Sequence, residues 1–559
     1  MEKILKIFGK EYGSVGQAAL LLGFFAFLSQ LLGLFRDRSL AHFIGPGETL
    51  DVYYAAFRIP DLIFISIASL ASITVLIPFI LSRMSEDKVT PEARKFVSDI
   101  LTVFFVLIVF ASVIAYLLLP YLARAVAPGF SEELLGKVVA VSRIMLLSPI
   151  LLGLSNIFGT ITQLYRKFFL YALSPIFYNV GIILGILLLY PAFGIYGLAL
   201  GVILGAFLHF LIQAVAAWFS GFKPRISWTI SFADLKDTIA TSLPRTLGLA
   251  FNSIALIVII AFASFLTSGS ISIFQFSLNL QNVPLGIIGL SYAVAAFPTL
   301  SKSFSRGLLD DFKSHLLEAA RAIIFWSLPV TFLFIVLRAQ IVRVVLGTGT
   351  FSWENTRLVA ASLALFAVSI VAQGLIALFA RAYYAGGNTR RPLFINFISS
   401  LSIVVFAALF LQLFHNFPVF RYFFESILKI EDLSGTGIVM LPLAYSLGTI
   451  LNFILLWIFI KKDFMKETPF LAKAFFQSLG ASFFVGFIAY LSLQVFGPIF
   501  GTETFWGIFL QGLISGLFGI AAGVVILYLL KNEELKNLAN TLHTKFWKAK
   551  VVAPPQESL

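Results

Sequence analysis

The sequence predicts an all-α polytopic membrane protein. About fourteen transmembrane helices are expected, as two six-helix lobes related by a pseudo-two-fold axis along the membrane normal, plus two C-terminal helices. Three observations predict this. Of 559 residues, 59% are hydrophobic and 12% charged, with a mean hydropathy of +0.96; a soluble domain uses about twice that charge to face water. The apolar residues fall in runs of about 20, the length that crosses a hydrocarbon core as a helix. Fragments of the first half also recur in the second. The runs are apolar throughout rather than alternating, which argues against a β-barrel.

In chain order, Lys3, Lys6 and Lys10 precede the first apolar run, 17–43. No small-residue cleavage site follows it, so an uncleaved first helix is expected. The loop Gly45–Thr49 separates it from 52–82, and Arg83, Lys88 and Arg94 close that span. Spans 95–119 and 139–164 come next, with Arg166 and Lys167 before 170–190. Pro191–Phe193 leads to 194–219, and Lys223 and Arg225 precede 238–264. Thr267–Ser270 separates that span from 271–300, after which stand Lys302 and Arg306. Spans 318–345 and 356–384 are followed by Arg390 and Arg391, then by 392–414 and 438–460. Lys461, Lys462 and Lys466 precede 469–496, and Gly497–Thr504 leads to 504–530. Lysine and arginine thus collect in alternate loops. The positive-inside rule then places both termini on the cytoplasmic side of the membrane. The basic tail 531–559 is expected to be a short surface helix with a disordered end.

The repeat defines the domains. Leu32-Gly33-Leu34 returns as Leu247-Gly248-Leu249, and Pro175-Ile176-Phe177-Tyr178-Asn179 as Pro392-Leu393-Phe394-Ile395-Asn396. A weaker echo links Gly205–Leu211 with Gly448–Ile454. Each half holds six spans, an even number, so the repeats run parallel. An N-lobe is expected over 1–220, a C-lobe over 221–465, two additional spans over 466–530, and the tail beyond. Glycines 33, 45, 47, 194, 197, 201 and 205 read as sites of close helix packing.

Composition also narrows the chemistry. Cysteine is absent, and the five histidines lack metal-ligand spacing. No metal or cofactor is expected. The net charge of +13 reads as basic loops on one membrane face, so nucleic acid is not an expected partner.

Most spans carry no ionisable residue in their middle; the exceptions are informative. The first contains Arg36-Asp37-Arg38, the second Asp51, Arg58 and Asp61, and the seventh Arg245. A lone charge at mid-bilayer costs a few kcal/mol, so these groups must pair or face a wet cavity. Structural pairs, Arg36 with Asp51 or Asp37 with Arg58, are one reading. The other is an anion site, because the guanidinium fork donates two parallel hydrogen bonds to phosphate. Candidate substrate-binding residues are Arg36, Arg58 and Arg245, with Asp51 positioning an arginine and Gln30 and Asn279 hydrogen-bonding sugar or phosphate oxygens.

The chain resembles the MurJ (MviN) family of lipid II flippases, within the multidrug/oligosaccharidyl-lipid/polysaccharide exporter superfamily, over about residues 15–530. Four segments carry the resemblance. They are Ser29–Asp61; Ala127–Phe130 with Ser142–Pro149; Ala263–Ser272 with Val283–Ser303; and Ile341–Thr356 with Ala380–Pro392. The resemblance implies two six-helix lobes around a cationic cavity, with the last two helices forming a groove for a polyprenyl tail. It implies a lipid-linked peptidoglycan precursor as substrate, a polyprenyl-diphosphate-linked glycopeptide moved from the inner to the outer leaflet by alternating access. It further implies a monomer among membrane lipids, with cell-wall synthesis proteins as partners. By position, Arg36 and Asp51 match residues that the family needs, and Arg58 a basic position. Relatives carry arginine where Gln30 and Asn279 stand, and an arginine pair where Phe64-Ile65 stands. Ile259 replaces an acid associated with sodium in some members. Fewer cavity cations are therefore expected here, with Arg245 compensating. Two other transport readings stay open: a flippase for another lipid-linked oligosaccharide, and a multidrug/cation antiporter. A membrane transferase would need carboxylates clustered on a divalent metal; Asp310-Asp311 and Glu132-Glu133 read instead as solvated faces.

Overall fold

The computed structural model describes residues 15–68, 76, 80, 83, 90–165, 167–220, 225–230, 232–465 and 471–546. Inside those limits the chain is helix after helix. With no water in hydrocarbon, only a helix or a closed barrel satisfies the backbone of such apolar runs. The helices are α1 Val15–Phe43, α2 Glu48–Ala56, α3 Arg58–Ala68, α4 Pro91–Val126, α5 Glu132–Met145, α6 Leu147–Leu164 and α7 Phe168–Leu184. A π-helical turn, Gly185–Leu189, joins α7 to α8 Tyr190–Phe193. There follow α9 Ile195–Phe219, α10 Phe232–Ser264 and α11 Ser270–Pro284, a second π turn over Leu285–Leu290, and α12 Ser291–Ser305. Then come α13 Leu309–Val336, α14 Arg338–Leu346, α15 Trp353–Ala367, α16 Ile370–Ala385, α17 Arg390–Asn416 and α18 Pro418–Leu428. The last four are α19 Met440–Phe464, α20 Ala472–Phe500, α21 Phe505–Leu529 and α22 Glu533–Phe546.

Among the described residues, eleven helical stretches are long and apolar enough to cross a membrane, or twelve if α15 and α16 make one broken span. These are the expected third to fourteenth spans. The first, 17–43, is α1, whose side chains over 15–20 lie outside the described set, and the second, 52–82, runs partly into residues outside it. The described residues thus give eleven or twelve spans against the fourteen expected. The second expected span is interrupted at Phe57, between α2 and α3. The surface helix expected in the tail is α22, and residues 547–559 lie outside the described set.

Packing divides the chain into two compact units. One comprises 1–283, 345–366 and 387–456, the other 284–344, 367–386 and 457–559. This division follows spatial contact, whereas the lobe boundaries at 220 and 465 follow the repeat. The first unit has a core of Phe96, Ile100, Phe104, Ile108, Ile157 and Ile161 between α4 and α6. In the second, Phe325, Ala481 and Leu527 pack with Leu535 and Leu538 of α22. Outward faces are as apolar as the cores. Phe110, Leu117 and Tyr121 on α4 are 63–72% exposed, an apolar face that water would not tolerate and lipid does.

Within the first unit the repeated motifs perform matching tasks. α1 packs on α7, and α10 packs on α17. Gly181 of α7 and Gly205 of α9 meet so closely that a Cβ on Gly181 would lie 2.3 Å from the Gly205 Cα. The matched Gly448 of α19 sits against the backbone of Ile403 in α17. Asn179 reaches back to Ser29 of α1, and its counterpart Asn396 lies 3.4 Å from where a Gly248 Cβ would stand. A Cβ on Gly33, Gly47 or Gly194, by contrast, would meet nothing within 4 Å, so the packing role expected of them is not seen.

Candidate functional site

The mid-span charges assemble in the first unit. Its α1, α2, α3, α7 and α11 surround a cavity of about 240 Å³ lined by Arg36, Tyr53, Tyr54, Arg58, Asp61 and Tyr178, with Gln275 and Asn279 on one wall. Residues from both halves of the chain therefore meet at one site. Helical spacing explains the wall: Gln275 and Asn279 are four residues apart on α11, hence on one face.

A continuous polar string crosses this cavity. Arg36 donates to Asp37 Oδ1 from Nε at 3.0 Å and from a terminal nitrogen at 2.8 Å, and to Asn179 Oδ1 at 3.2 Å. The Asn279 amide donates to Asp37 Oδ2 at 2.9 Å. Gln275 donates to Asn279 Oδ1 at 2.7 Å, and its own Oε1 accepts from Arg58 at 2.5 Å. Asp37 is only 3% exposed and Arg36 keeps a quarter of its side chain open. The pair is thus a counter-ion arrangement at the cavity edge.

Arg58 differs. Among the described residues its one hydrogen-bond partner is the neutral Gln275, no carboxylate stands within 4 Å, and its buried Nε has no partner. Tyr54 Oη is likewise unpartnered. A donor left unsatisfied costs about 1–3 kcal/mol, more when charged. Two orphaned polar atoms thus belong to residues that line this cavity.

Several expectations change. Asp51 does not position an arginine. Its carboxylate accepts from the backbone N–H of Gly269 at 2.7 Å and of Ser272 at 2.8 Å, and from Ser272 Oγ at 2.5 Å. It caps the N-terminus of α11, where backbone donors and the helix dipole favour an anion. Gly269 adopts a φ of +91°, held against Pro46 and Gly47. Neither structural pair foreseen, Arg36 with Asp51 or Asp37 with Arg58, is formed; Arg36 takes the adjacent Asp37. Gln30 is half-buried on α1 and does not line the cavity. Arg245 lies on α10, with its side chain outside the described set. Arg36, Arg58 and Asn279 are the foreseen residues that the cavity brings together. The lining is less cationic than the family resemblance implied. Two arginines share it with Asp61, and Asp37 neutralises Arg36. Sequence reasoning missed Gln275, whose only signal was its spacing of four from Asn279 on a helix that also carries Ser270, Ser272, Ser277, Gln281 and Asn282.

The carboxylates a transferase would need are otherwise engaged. Asp310 holds Lys313, Glu133 holds Lys137 and Glu132 holds Arg124, all on exposed faces. Among the described residues no three acidic or histidine side chains gather in metal-binding geometry.

Apolar spans, a repeat and a polar cavity drawn from both halves define a multi-pass membrane protein, and solved structures place its fold among the MOP exporters. The chain superposes with a TM-score of 0.72 and 22% identity on a structure titled "Lipid II flippase MurJ, inward closed conformation", covering 93% of this chain and all of that one. An inward-facing multidrug resistance MATE family transporter of the MOP superfamily follows at 0.60, with 15% identity over 82% of this chain and 97% of that one. The chain belongs to the lipid II flippase MurJ family, whose model matches residues 40–511. Relatives called probable lipid II flippase MurJ include one from Buchnera aphidicola, 27% identical over 84% of this chain and 88% of the relative. Another, from Borreliella burgdorferi, is 26% identical over 67% and 74%.

Proposed function

We propose that this chain is a lipid II flippase, moving the polyprenyl-diphosphate-linked glycopeptide from the inner to the outer leaflet of the bacterial cytoplasmic membrane. The observation that carries the reading is Arg58: a cation in an intramembrane cavity, held by a neutral amide and lacking a counter-ion within 4 Å among the described residues. Family membership supports the substrate.

In this reading the diphosphate enters from the cytoplasmic side and takes the guanidinium of Arg58, whose planar fork suits it. Arg36 contributes when its hold on Asp37 loosens, and Arg245 adds charge from the seventh span. The amides of Gln275, Asn279 and Asn179 hydrogen-bond sugar or phosphate oxygens. Gln30, facing elsewhere, plays a lesser part. Asp51 fixes the start of α11 and thereby the wall carrying Gln275 and Asn279. The polyprenyl tail stays in lipid along α20 and α21, and the lobes 1–220 and 221–465 rock to expose the head outward. Both termini lie in the cytoplasm, and the protein works as a monomer beside cell-wall synthesis proteins.

The membrane potential supplies direction. Carrying about two negative charges outward, down an inside-negative potential of about 100 mV, releases roughly 4–5 kcal/mol. The test is flipping in vesicles with a clamped potential: the rate rises when the interior is negative, and equal rates at zero and at negative potential sink the drive. The antiporter reading turns on Asp61, which would hold a cationic substrate in the same cavity. Replacement of Asp61 by asparagine separates the two, since it abolishes cation transport but leaves lipid II transport in place.

A further inference from the structure

A second cavity in the first unit, about 420 Å³ in volume, lies where α4 begins and has no part in the polar string. Pro91, Arg94, Lys95 and Ser98 of α4 line it, with Arg225, Ile226 and Ser227 from the segment after α9. Three cations thus share one concavity, and none forms an ion pair within 4 Å among the described residues. Glu92 and Asp99 of α4 stand nearby but do not line it, and like charges gathered in a lining without a carboxylate repel one another unless an anion joins them.

The arrangement is built rather than incidental. The backbone N–H of Arg225 donates to Ser98 Oγ at 3.1 Å, and that of Ser227 to Thr102 Oγ1 at 2.8 Å, one turn further along α4. Two side-chain acceptors on one helix face thereby fix the segment carrying Arg225 beside Arg94 and Lys95. The first turn of α4, capped by Thr90 with Pro91 at its start, adds the positive end of a 36-residue helix.

Beside the cations stand apolar groups left exposed among the described residues. Ile226 is 60% exposed and Trp228 92% exposed. Indole rings with this exposure sit at the headgroup level of a bilayer. Cationic side chains next to a tryptophan at the depth where helices end fit an amphiphile, with phosphate in the cavity and acyl chains over Ile226 and Trp228. We propose that this cavity is a binding site for the phosphate headgroup of an anionic phospholipid, on the face that the loop charges assign to the cytoplasm. It is separate from the transport cavity and does not depend on the substrate assigned to that cavity.

The test uses the full chain in detergent, titrated with phosphatidylglycerol, phosphatidylcholine or inorganic phosphate and read by native mass spectrometry. The chain retains one phosphatidylglycerol in preference to phosphatidylcholine. The combined variant Arg94→Gln, Lys95→Gln, Arg225→Gln weakens that retention about tenfold or more, since each basic side chain near an anionic headgroup is worth about fivefold. Ser98→Ala keeps every charge but releases Arg225, and weakens it by a smaller factor. Thermal unfolding of each variant confirms that it folds; for one that does not, Arg225→Lys serves, with a partial loss expected. Equal retention of the two lipids, or unchanged phosphatidylglycerol retention in the folded triple variant, overturns the proposal. Displacement of phosphatidylglycerol by millimolar inorganic phosphate at equal potency overturns the lipid assignment in favour of a soluble phosphorylated ligand.

Discussion

Asp51 and Ser272 are joined twice, through the backbone N–H and the hydroxyl of Ser272, across 221 residues of sequence. With the Gly269 N–H, these bonds place a buried carboxylate at the start of α11. Asp51→Ala leaves buried donors without an acceptor. It should destabilise the protein by about 2–3 kcal/mol, and Asp51→Asn, which keeps one acceptor, by less. Thermal unfolding in detergent checks this. An Asp51→Ala protein as stable as the parent yet inactive in transport would mean that the carboxylate acts on substrate instead.

Arg36 and Arg58 should respond differently to the same substitution. Arg36→Gln strands the Asp37 carboxylate, which is 3% exposed, and should cost about 3 kcal/mol of stability. The double variant Arg36→Gln/Asp37→Asn should recover most of it. Arg58→Gln removes a cation that no carboxylate among the described residues neutralises within 4 Å, so stability should hold while transport falls about tenfold or more. Paired unfolding and flipping measurements on the three proteins distinguish these roles.

Gln275 orients the Arg58 guanidinium through a 2.5 Å hydrogen bond. Gln275→Ala should therefore raise the half-saturating lipid II concentration about five- to tenfold, and Gln275→Glu should lower transport further by pairing the cation with a fixed carboxylate. Unchanged flipping in both would remove Gln275 from the site.

Close packing gives a prediction independent of transport. A Cβ on Gly205 would lie 2.4 Å from the Tyr178 carbonyl oxygen, whereas one on Gly33 meets nothing within 4 Å. Gly205→Val should prevent accumulation of folded protein in the membrane, and Gly33→Ala should leave it unchanged. Membrane yield and gel-filtration profile read both.

The fold was largely legible because hydrocarbon length and backbone hydrogen bonding leave little choice for runs such as 95–119 and 504–530. The repeat was legible where it served packing, as at Gly205 and Gly448. The site was legible only in part. Arginine in an apolar span is conspicuous, so Arg36 and Arg58 were found. Which acid answers which base is decided by helix rotation, which composition does not encode. Hence Asp37, the neighbour of Arg36, took the role given to Asp51. Gln275 carries no charge, and one amide among the four on α11 looks like the others until its partner is known.

The central claim is that Arg58 holds the diphosphate of lipid II during transport. The most direct measurement is the amount of lipid II reaching the outer leaflet in a wall-synthesising bacterium depleted of its own flippase and supplied with this chain or its Arg58→Gln variant. The intact chain should restore outer-leaflet lipid II. The variant, present in the membrane at the same level and equally stable, should not. Full restoration by the variant, or none by the intact chain at normal membrane level, would contradict the account.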